Sequence, residues 1–267
     1  MGTNARSLVG LLDSSELSAG RYASLLAPIE LAESSAVLNP QRRAEWLAGR
    51  IAAKFVFLQR DRSESGSMRL EKISDAMLDA FTARTYRDVV VRKSESLGGG
   101  PARIEWRSGG PATNVAISHV QGLACAFIGS TEVYSVDLEM RKPRVPEFYA
   151  HNFTPREQSW SSECARSLNL DSDWLYTLLW SAKECLLKTP AFAGLSLWDM
   201  PSMEINFLTG SGSLKALHDA QTFSGYFESL EAEVTPADRK SRCPAKHFRL
   251  AVSGTADLVL TAITRLD

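Results

Sequence analysis

No stretch of this sequence approaches the ~18 consecutive apolar residues that a bilayer-crossing helix needs. The first residues, Met1-Gly2-Thr3-Asn4-Ala5-Arg6, carry one charge, and the apolar run Leu8–Leu12 is too short for the core of an export signal. Neither a membrane protein nor a secreted one is expected. The four cysteines (Cys125, Cys164, Cys185 and Cys243) form no C-x-x-C pair, and their spacing suggests neither a disulfide framework nor a zinc site. Buried or free thiols in a reducing cytoplasm are the expectation. The four histidines (His119, His151, His218 and His247) also lack metal-ligand spacing. Charge of one sign is missing as well. Thirty Lys and Arg stand against 31 Asp and Glu, a net charge of −1, which argues against a broad nucleic-acid or membrane-surface face. Low-complexity tracts and clear internal repeats are absent.

What is present is ordinary globular composition: 267 residues, 44% hydrophobic and 23% charged. By area scaling such a chain buries about 73% of its unfolded surface, enough for a core without covalent or metal staples. Residues 1–38 are Ser/Ala/Leu-rich and weakly patterned. Asn39-Pro40 is a helix start, with Asn39 as cap and Pro40 in the first turn, and the helix runs over Gln41–Gln59. Arg60–Gly66 reads as a loop, and a second helix is expected near Ile73–Thr82. Arg92–Pro101 and Ser108–Pro111 are Gly/Pro/Ser punctuation. Strand-like runs lie at Arg103–Trp106, Ala124–Ile128 and Tyr134–Met140. Helices are expected over Pro155–Leu168 and Ser172–Lys188, then strands at Ser202–Leu208, Gly225–Val234, His247–Ser253 and Asp257–Ile263. The order is mixed, without regular βαβα alternation, so the fold class is α+β.

Three constellations carry chemistry. On the first helix, at ~100° per residue, Arg43, Arg50 and Lys54 fall within about 40° of one another. Ile51, Phe55 and Leu58 flank them on one side, Trp46 and Phe57 on the other. Like charges at i,i+4 inside an apolar arc are unfavourable unless an anion compensates; a phosphate suits. The competing reading is long side chains snorkelling to water. In the run Tyr134–Met140, period two puts Asp137 and Glu139 on one strand face, with Cα atoms about 6.6 Å apart. Two close carboxylates suit Mg²⁺; the alternative is a solvated, charge-protected strand edge. On the helix Ser172–Lys188, the core stripe is Leu175, Leu178, Leu179, Ala182 and Leu186. Trp180, Glu184 and Lys188 lie opposite it at i, i+4 and i+8. Glu184 reads as a third ligand or a base with Lys188 near a phosphate, or the two form an ordinary surface pair. Ser118-His119 precedes a glycine turn, where a backbone or imidazole group can meet a ligand.

In their order, these pieces resemble the Sfp-type 4′-phosphopantetheinyl transferases. The resembling residues are Trp46-x-x-Gly49-Arg50-x-x-Ala53-Lys54, Ile117-Ser118-His119, Val136-Asp137-Leu138-Glu139, Phe153-Thr154-x-x-Glu157 and Trp180-Ser181-Ala182-Lys183-Glu184-x-x-x-Lys188. Gly194-Leu195-Ser196-Leu197 also looks like the family, and the likeness spans roughly residues 40–255. It implies two similar α+β halves related by a pseudo-twofold axis, here residues 1–131 and 132–267, with the active site at their interface. It also implies transfer of the 4′-phosphopantetheine arm of coenzyme A to a serine of an apo carrier protein (acyl, peptidyl or polyketide), releasing adenosine 3′,5′-bisphosphate. By this resemblance Asp137, Glu139 and Glu184 hold Mg²⁺ or Mn²⁺. Arg43, Arg50, Lys54, Ser118, His119, Lys183 and Lys188 contact coenzyme A, and Glu184, Lys188 and His119 are catalytic. A two-half chain builds the whole site alone, so a monomer is expected, with neither nucleic acid nor membrane as partner. Fatty-acid and secondary-metabolite carriers share this chemistry. This chain has Val120 where a small hydroxyl residue is common, Ser135 where Gly is common, and Gly100 where a cation often precedes the proline. The competing functions are an Mg²⁺-dependent nuclease and a non-catalytic family member that binds coenzyme A or carrier proteins.

Overall fold

The computed structural model describes residues 8–16, 19–60, 68–93, 102–128, 135–208, 211–221, 227–238 and 241–267. Most of the Arg60–Gly66 loop, Gly100-Pro101, Tyr134 and the first residues of the strand expected from Gly225 lie outside them. The described residues fall into two compact units, one ending at Ile128 and the other beginning at Ser135.

The first unit runs β1 (Leu8–Asp13), α1 (Ala19–Leu25), α2 (Pro28–Ser35), α3 (Pro40–Gln59), β2 (Arg69–Ile73), α4 (Asp75–Leu78), α5 (Ala83–Asp88), β3 (Val89–Arg92), β4 (Ala102–Trp106), β5 (Thr113–Val120) and β6 (Leu123–Ile128). Its sheet has the order β2-β1-β6-β5-β4-β3, antiparallel except for β1 beside β2. The second runs β7 (Ser135–Met140), α6 (Pro146–Asn152), α7 (Pro155–Leu168), α8 (Ser172–Leu187), β8 (Met203–Phe207), α9 (Ser211–Asp219), β9 (Glu228–Pro236), β10 (Lys246–Thr255) and β11 (Leu258–Leu266). Its sheet has the order β7-β11-β10-β9-β8, antiparallel throughout. The mixed α+β class expected from the sequence is the one observed.

The long helices start where the residue types place them. Asn39 accepts a 3.0 Å hydrogen bond from the Arg42 N–H, with Pro40 next in the first turn. Asp171 caps α8, and Thr154 with Glu157 forms a reciprocal capping box on α7. Of the single helix expected near residues 73–82, only the short α4 is formed, and a second short helix, α5, starts just beyond it at Ala83. Ser74 caps α4 by accepting from Met77 N–H, and Thr82 caps α5 by accepting from Thr85 N–H. Each cap offers the backbone an alternative partner and restarts the helix, so the apolar spacing never joins. The weakly patterned residues before 38 hold β1, in which Val9, Leu11 and Leu12 are all buried. A strand buried on both faces does not alternate, and period two cannot reveal it.

The two units follow one plan, although the sequence shows no repeat. Setting aside β2, each sheet takes the same path: the first strand lies at one edge, and the last four strands form a meander that returns to it. A buried lysine–glutamate clamp recurs in each. Glu30, the third residue of α2 after Pro28, accepts from Ala27 N–H (2.9 Å), Val91 N–H (3.1 Å) and Lys54 Nζ (2.5 Å). Lys54 also donates to the Leu25 and Tyr86 carbonyls. Glu157, the third residue of α7 after Pro155, accepts from Thr154 N–H (2.9 Å), Ile205 N–H (2.8 Å) and Lys183 Nζ (2.8 Å). Lys183 also donates to the Asn152 and Met200 carbonyls. All four clamp side chains are fully buried. Each clamp ties a long helix, a short helix and a strand together at one point.

Gly49 brings α3 against β5, the strand that carries Ser118 and His119. A Cβ there would lie 2.8 Å from Ile117 Cγ2, and a β-branched side chain has no easy rotamer to retreat to. Gly49→Ala is therefore expected to destabilise by about 1–3 kcal/mol, despite the ~1 kcal/mol that alanine gains over glycine in a helix. Urea titration checks it. A variant as stable as the parent would mean that the helix–sheet approach has slack.

Candidate functional site

The second unit gathers the carboxylates. Among the described residues β7 is an edge strand, hydrogen-bonded only to β11 in the sheet order, with Asp137 opposite Thr261 and Glu139 opposite Val259. Val136 and Leu138 are also buried, on the opposite face of the strand. Asp137 lies on the face covered by α8 and is 1% exposed, so the reading of this strand as a solvated, charged edge fails. α8 presents Ser181, Glu184 and, at its end, Lys188 to that face. Oxygen atoms of Asp137, Glu139 and Glu184 all lie within 4.8 Å of one another. Lys188 Nζ sits 2.6 Å from Asp137 Oδ1 and 3.6 Å from Glu184 Oε2. The Glu184–Lys188 pair is thus more than a surface pair, because its lysine makes its shorter contact with a buried aspartate. Trp180 Nε1 donates to Glu184 Oε1 at 2.9 Å, holding the carboxylate in place.

Buried so close to other negative groups, Glu139 and Glu184 ionise at a cost. Burial, then Asp137 and Glu184, push Glu139 up to about 8. Burial and Asp137 push Glu184 up as well. Burial works against the Lys188 ammonium, but Asp137 and Glu184 outweigh it and hold it charged. An oxygen-only donor set with surplus negative charge suits a hard divalent cation such as Mg²⁺.

Beside Glu139 lies a shallow, solvent-open cleft whose walls include Lys142, Arg144, Phe148, Tyr176 and Trp180. Phe148 and Trp180 lie 5.3 Å apart, and the Arg144 guanidinium sits 5.0 Å from the Phe148 ring centre. These cleft residues, Trp180 excepted, are absent from the sequence reading. The only signal was the Phe148-Tyr149 pair on a short helix, which reads equally well as core.

The first unit sorts the cationic stripe into three different environments. Arg43 stays near the surface and donates to the Val37 and Ser35 carbonyls at the end of α2. Arg50 is 6% exposed, stacks 3.4 Å from the Trp46 ring centre, and approaches Glu33 at 3.9 Å. Its Nε has no hydrogen-bond partner, and burial lowers it to about 10. Lys54 is fully buried on Glu30. Snorkelling therefore fails for Arg50 and Lys54. The anion that the apolar arc required at Lys54 is an internal glutamate, from the segment whose pattern was weakest. Lys54, and Lys183 in the same way, expose no surface through which to meet coenzyme A. Lys183 follows Ala182 on the buried side of α8, where Glu157 meets it.

Ser118 is buried and His119 is partly exposed on β5. The β5–β6 turn has positive φ at both Gln121 (46°) and Gly122 (89°), the geometry of a two-residue hairpin. Glu45 on α3 fastens this tip. Its Oε1 accepts from Gly122 N–H at 2.8 Å, and its Oε2 lies 3.3 Å from His119 Nδ1. Sequence reading missed Glu45, whose i,i+4 relation to Gly49 gives no hint of a partner 77 residues away.

Residues 135–245, which hold Asp137, Glu139, Glu184 and Lys188, match the family model of the 4′-phosphopantetheinyl transferase superfamily. This segment is similar to the domains of that superfamily. Transferases of this superfamily use coenzyme A as substrate and act on carrier proteins. The match lies within the second unit, so Arg50 and His119 fall outside it. No curated protein matches the chain. Among the described residues, no helix is long and apolar enough to cross a membrane, and all four cysteines are buried and outside any disulfide.

Proposed function

We propose that this protein is an Sfp-type enzyme that moves the 4′-phosphopantetheine arm of coenzyme A onto a serine of an apo acyl, peptidyl or polyketide carrier. The reaction depends on Mg²⁺, with Mn²⁺ as a substitute, and releases adenosine 3′,5′-bisphosphate. The observation that carries this reading is the convergence of Asp137, Glu139 and Glu184 within 4.8 Å, with Lys188 on the same aspartate, in the segment that matches the superfamily.

A bound Mg²⁺ neutralises charge on the pyrophosphate oxygens. The residues of the chain do the rest. Asp137, Glu139 and Glu184 hold the ion. Glu184, kept on the protonatable side by burial, accepts the proton of the carrier serine, a step worth about 10²–10⁴ in rate. Lys188, fully charged beside Asp137, counters the charge that builds on the departing phosphate. Arg43, Arg50, Ser118 and His119 are the phosphate contacts proposed in the first unit. Lys54 and Lys183 take no ligand role and serve as clamps. The enzyme works as a cytoplasmic monomer.

The test is incubation with fluorescent coenzyme A and a panel of apo carrier proteins, with and without Mg²⁺, beside a plasmid-cleavage gel. Covalent labelling of a carrier serine only with the metal is expected. Plasmid nicking without labelling would replace the reading with a nuclease. Coenzyme A binding by calorimetry with no mass gain on any carrier would leave a binding protein only.

A further inference from the structure

We propose that Ser181 and Thr261 are positioning residues, which aim the Asp137 carboxylate for divalent-cation binding through a one-directional chain of hydroxyl hydrogen bonds. The inference rests on the metal-dependent reading above.

The geometry begins with strand register. Asp137 on β7 and Thr261 on β11 are directly opposite, so both side chains project to the same face of the sheet. α8 lies over that face and presents Ser181 and, one turn later, Cys185. Ser181 Oγ donates to Asp137 Oδ2 at 2.7 Å. Ser181 Oγ also lies 2.7 Å from Thr261 Oγ1, and Thr261 Oγ1 lies 3.2 Å from Cys185 Sγ. Thr261 thus sits between positions i and i+4 of the helix.

Proton counting sets the direction. A hydroxyl has one proton to give. Ser181 gives its own to the carboxylate, so Thr261 must donate to Ser181. With the Thr261 proton used, the Cys185 S–H can act only as donor, to Thr261 Oγ1 at 3.2 Å or to the Thr261 carbonyl at 3.4 Å. The chain runs Thr261 → Ser181 → Asp137, each donor pointing towards the anion, and donors in series strengthen one another. Ser181, Thr261 and Cys185 are all completely buried, so water cannot replace a missing member without new space. With Oδ2 pinned from behind, Oδ1 is the oxygen that meets Lys188 at 2.6 Å. Without the pin, the Asp137 carboxylate loses one of the contacts that fix χ2, a broad torsion, and the donor set loses preorganisation.

Three variants separate the hydroxyls from packing: Ser181→Ala, Thr261→Val, which keeps the shape, and Thr261→Ser, which keeps the hydroxyl. Mn²⁺ affinity is measured on the free protein by electron paramagnetic resonance, with melting curves to confirm folding. Ser181→Ala and Thr261→Val are expected to weaken Mn²⁺ binding about tenfold, the lower end of the effect of removing the partner that orients a ligand. Thr261→Ser is expected to stay near the parent. In carrier labelling, both weakened variants are expected to shift the Mg²⁺ concentration needed more than the rate at saturating Mg²⁺. Asp137→Asn serves as the reference, and adding Ser181→Ala to it is expected to change Mn²⁺ affinity no further. Parental Mn²⁺ affinity in folded Ser181→Ala and Thr261→Val, or Thr261→Ser as weak as Thr261→Val, overturns the positioning role while Asp137→Asn still upholds the metal site. If Asp137→Asn leaves Mn²⁺ binding unchanged, the metal reading itself fails, and this inference with it.

Discussion

Removing Glu157 from beside Lys183 is expected to unfold the second unit at ordinary temperature. Lys183 and Glu157 are both fully buried and meet at 2.8 Å. Taking away one partner of such a pair leaves an uncompensated charge in the core and costs about 3–5 kcal/mol. Glu157 also accepts from the Thr154 and Ile205 N–H groups, and each stranded donor adds about 1–3 kcal/mol. The sum rivals the whole stability of an ordinary domain, about 5–15 kcal/mol. Glu157→Leu is the severe variant. Lys183→Met/Glu157→Gln is the mild one, because it removes both charges and retains an acceptor. Burial already pushes Lys183 below its ordinary 10.5, and losing Glu157 lowers it further. In Glu157→Leu the unfolded chain then binds more protons than the folded one between the depressed value and 10.5, so its stability should rise with pH across that window. Circular-dichroism melts at several pH values check this. Equal losses for the single and the paired variant would show that the clamp acts through packing alone.

Glu184→Gln is expected to reduce carrier loading by about 10²–10⁴ while leaving the protein folded. Glutamine keeps an oxygen for Trp180 Nε1, now 2.9 Å from Glu184 Oε1, but lacks both the base and one negative charge of the donor set. Carrier loading at saturating coenzyme A and Mg²⁺ reads the effect, and parental turnover would remove Glu184 from the mechanism. A companion measurement separates function from stability. The Glu139 carboxyl, pushed up to about 8, binds a proton in the folded state that the unfolded chain releases near 4.5. Between those values the folded protein holds more protons, so in metal-free solution this residue makes stability fall as pH rises. Glu139→Gln should flatten that slope and melt higher than the parent at pH 8, yet load carriers poorly. Saturating Mg²⁺ should raise the melting temperature of the parent at pH 8, and that of Glu139→Gln much less. An unchanged pH slope in Glu139→Gln would locate the repulsion elsewhere.

Much of this protein is legible in residue order. The caps Asn39, Thr154 and Asp171 announce their helices because a side-chain oxygen satisfies an orphan N–H locally. D-x-E on a strand and Glu184/Lys188 at i,i+4 place chemical groups on known faces, since the periods of strand and helix are fixed by the backbone. The α+β class followed from the order of such elements. Composition also argued against a broad polyanion-binding face, yet it could not show that balanced charges are segregated into a cationic helix and a carboxylate cluster.

Tertiary structure decided which charges gather at the carboxylate cluster and which are sealed against each other. Lys54 and Lys188 look alike on a helical wheel. One is sealed against Glu30, 24 residues away, and the other stands at a cluster of three carboxylates, partly open to solvent. The shared plan of the two units is invisible in the sequence because a clamp needs only a few groups, while the surrounding core accepts many apolar residues of suitable volume. With Lys54 matched to Lys183, the position after it is Phe55 in one unit and Glu184 in the other, so a common scaffold carries carboxylate chemistry on one side only. Periodicity is a local property of the backbone, and sequence displays it. The partner of a buried charge is set by strand register and helix docking over long separations, and only the folded chain brings Asp137, Ser181 and Thr261 together.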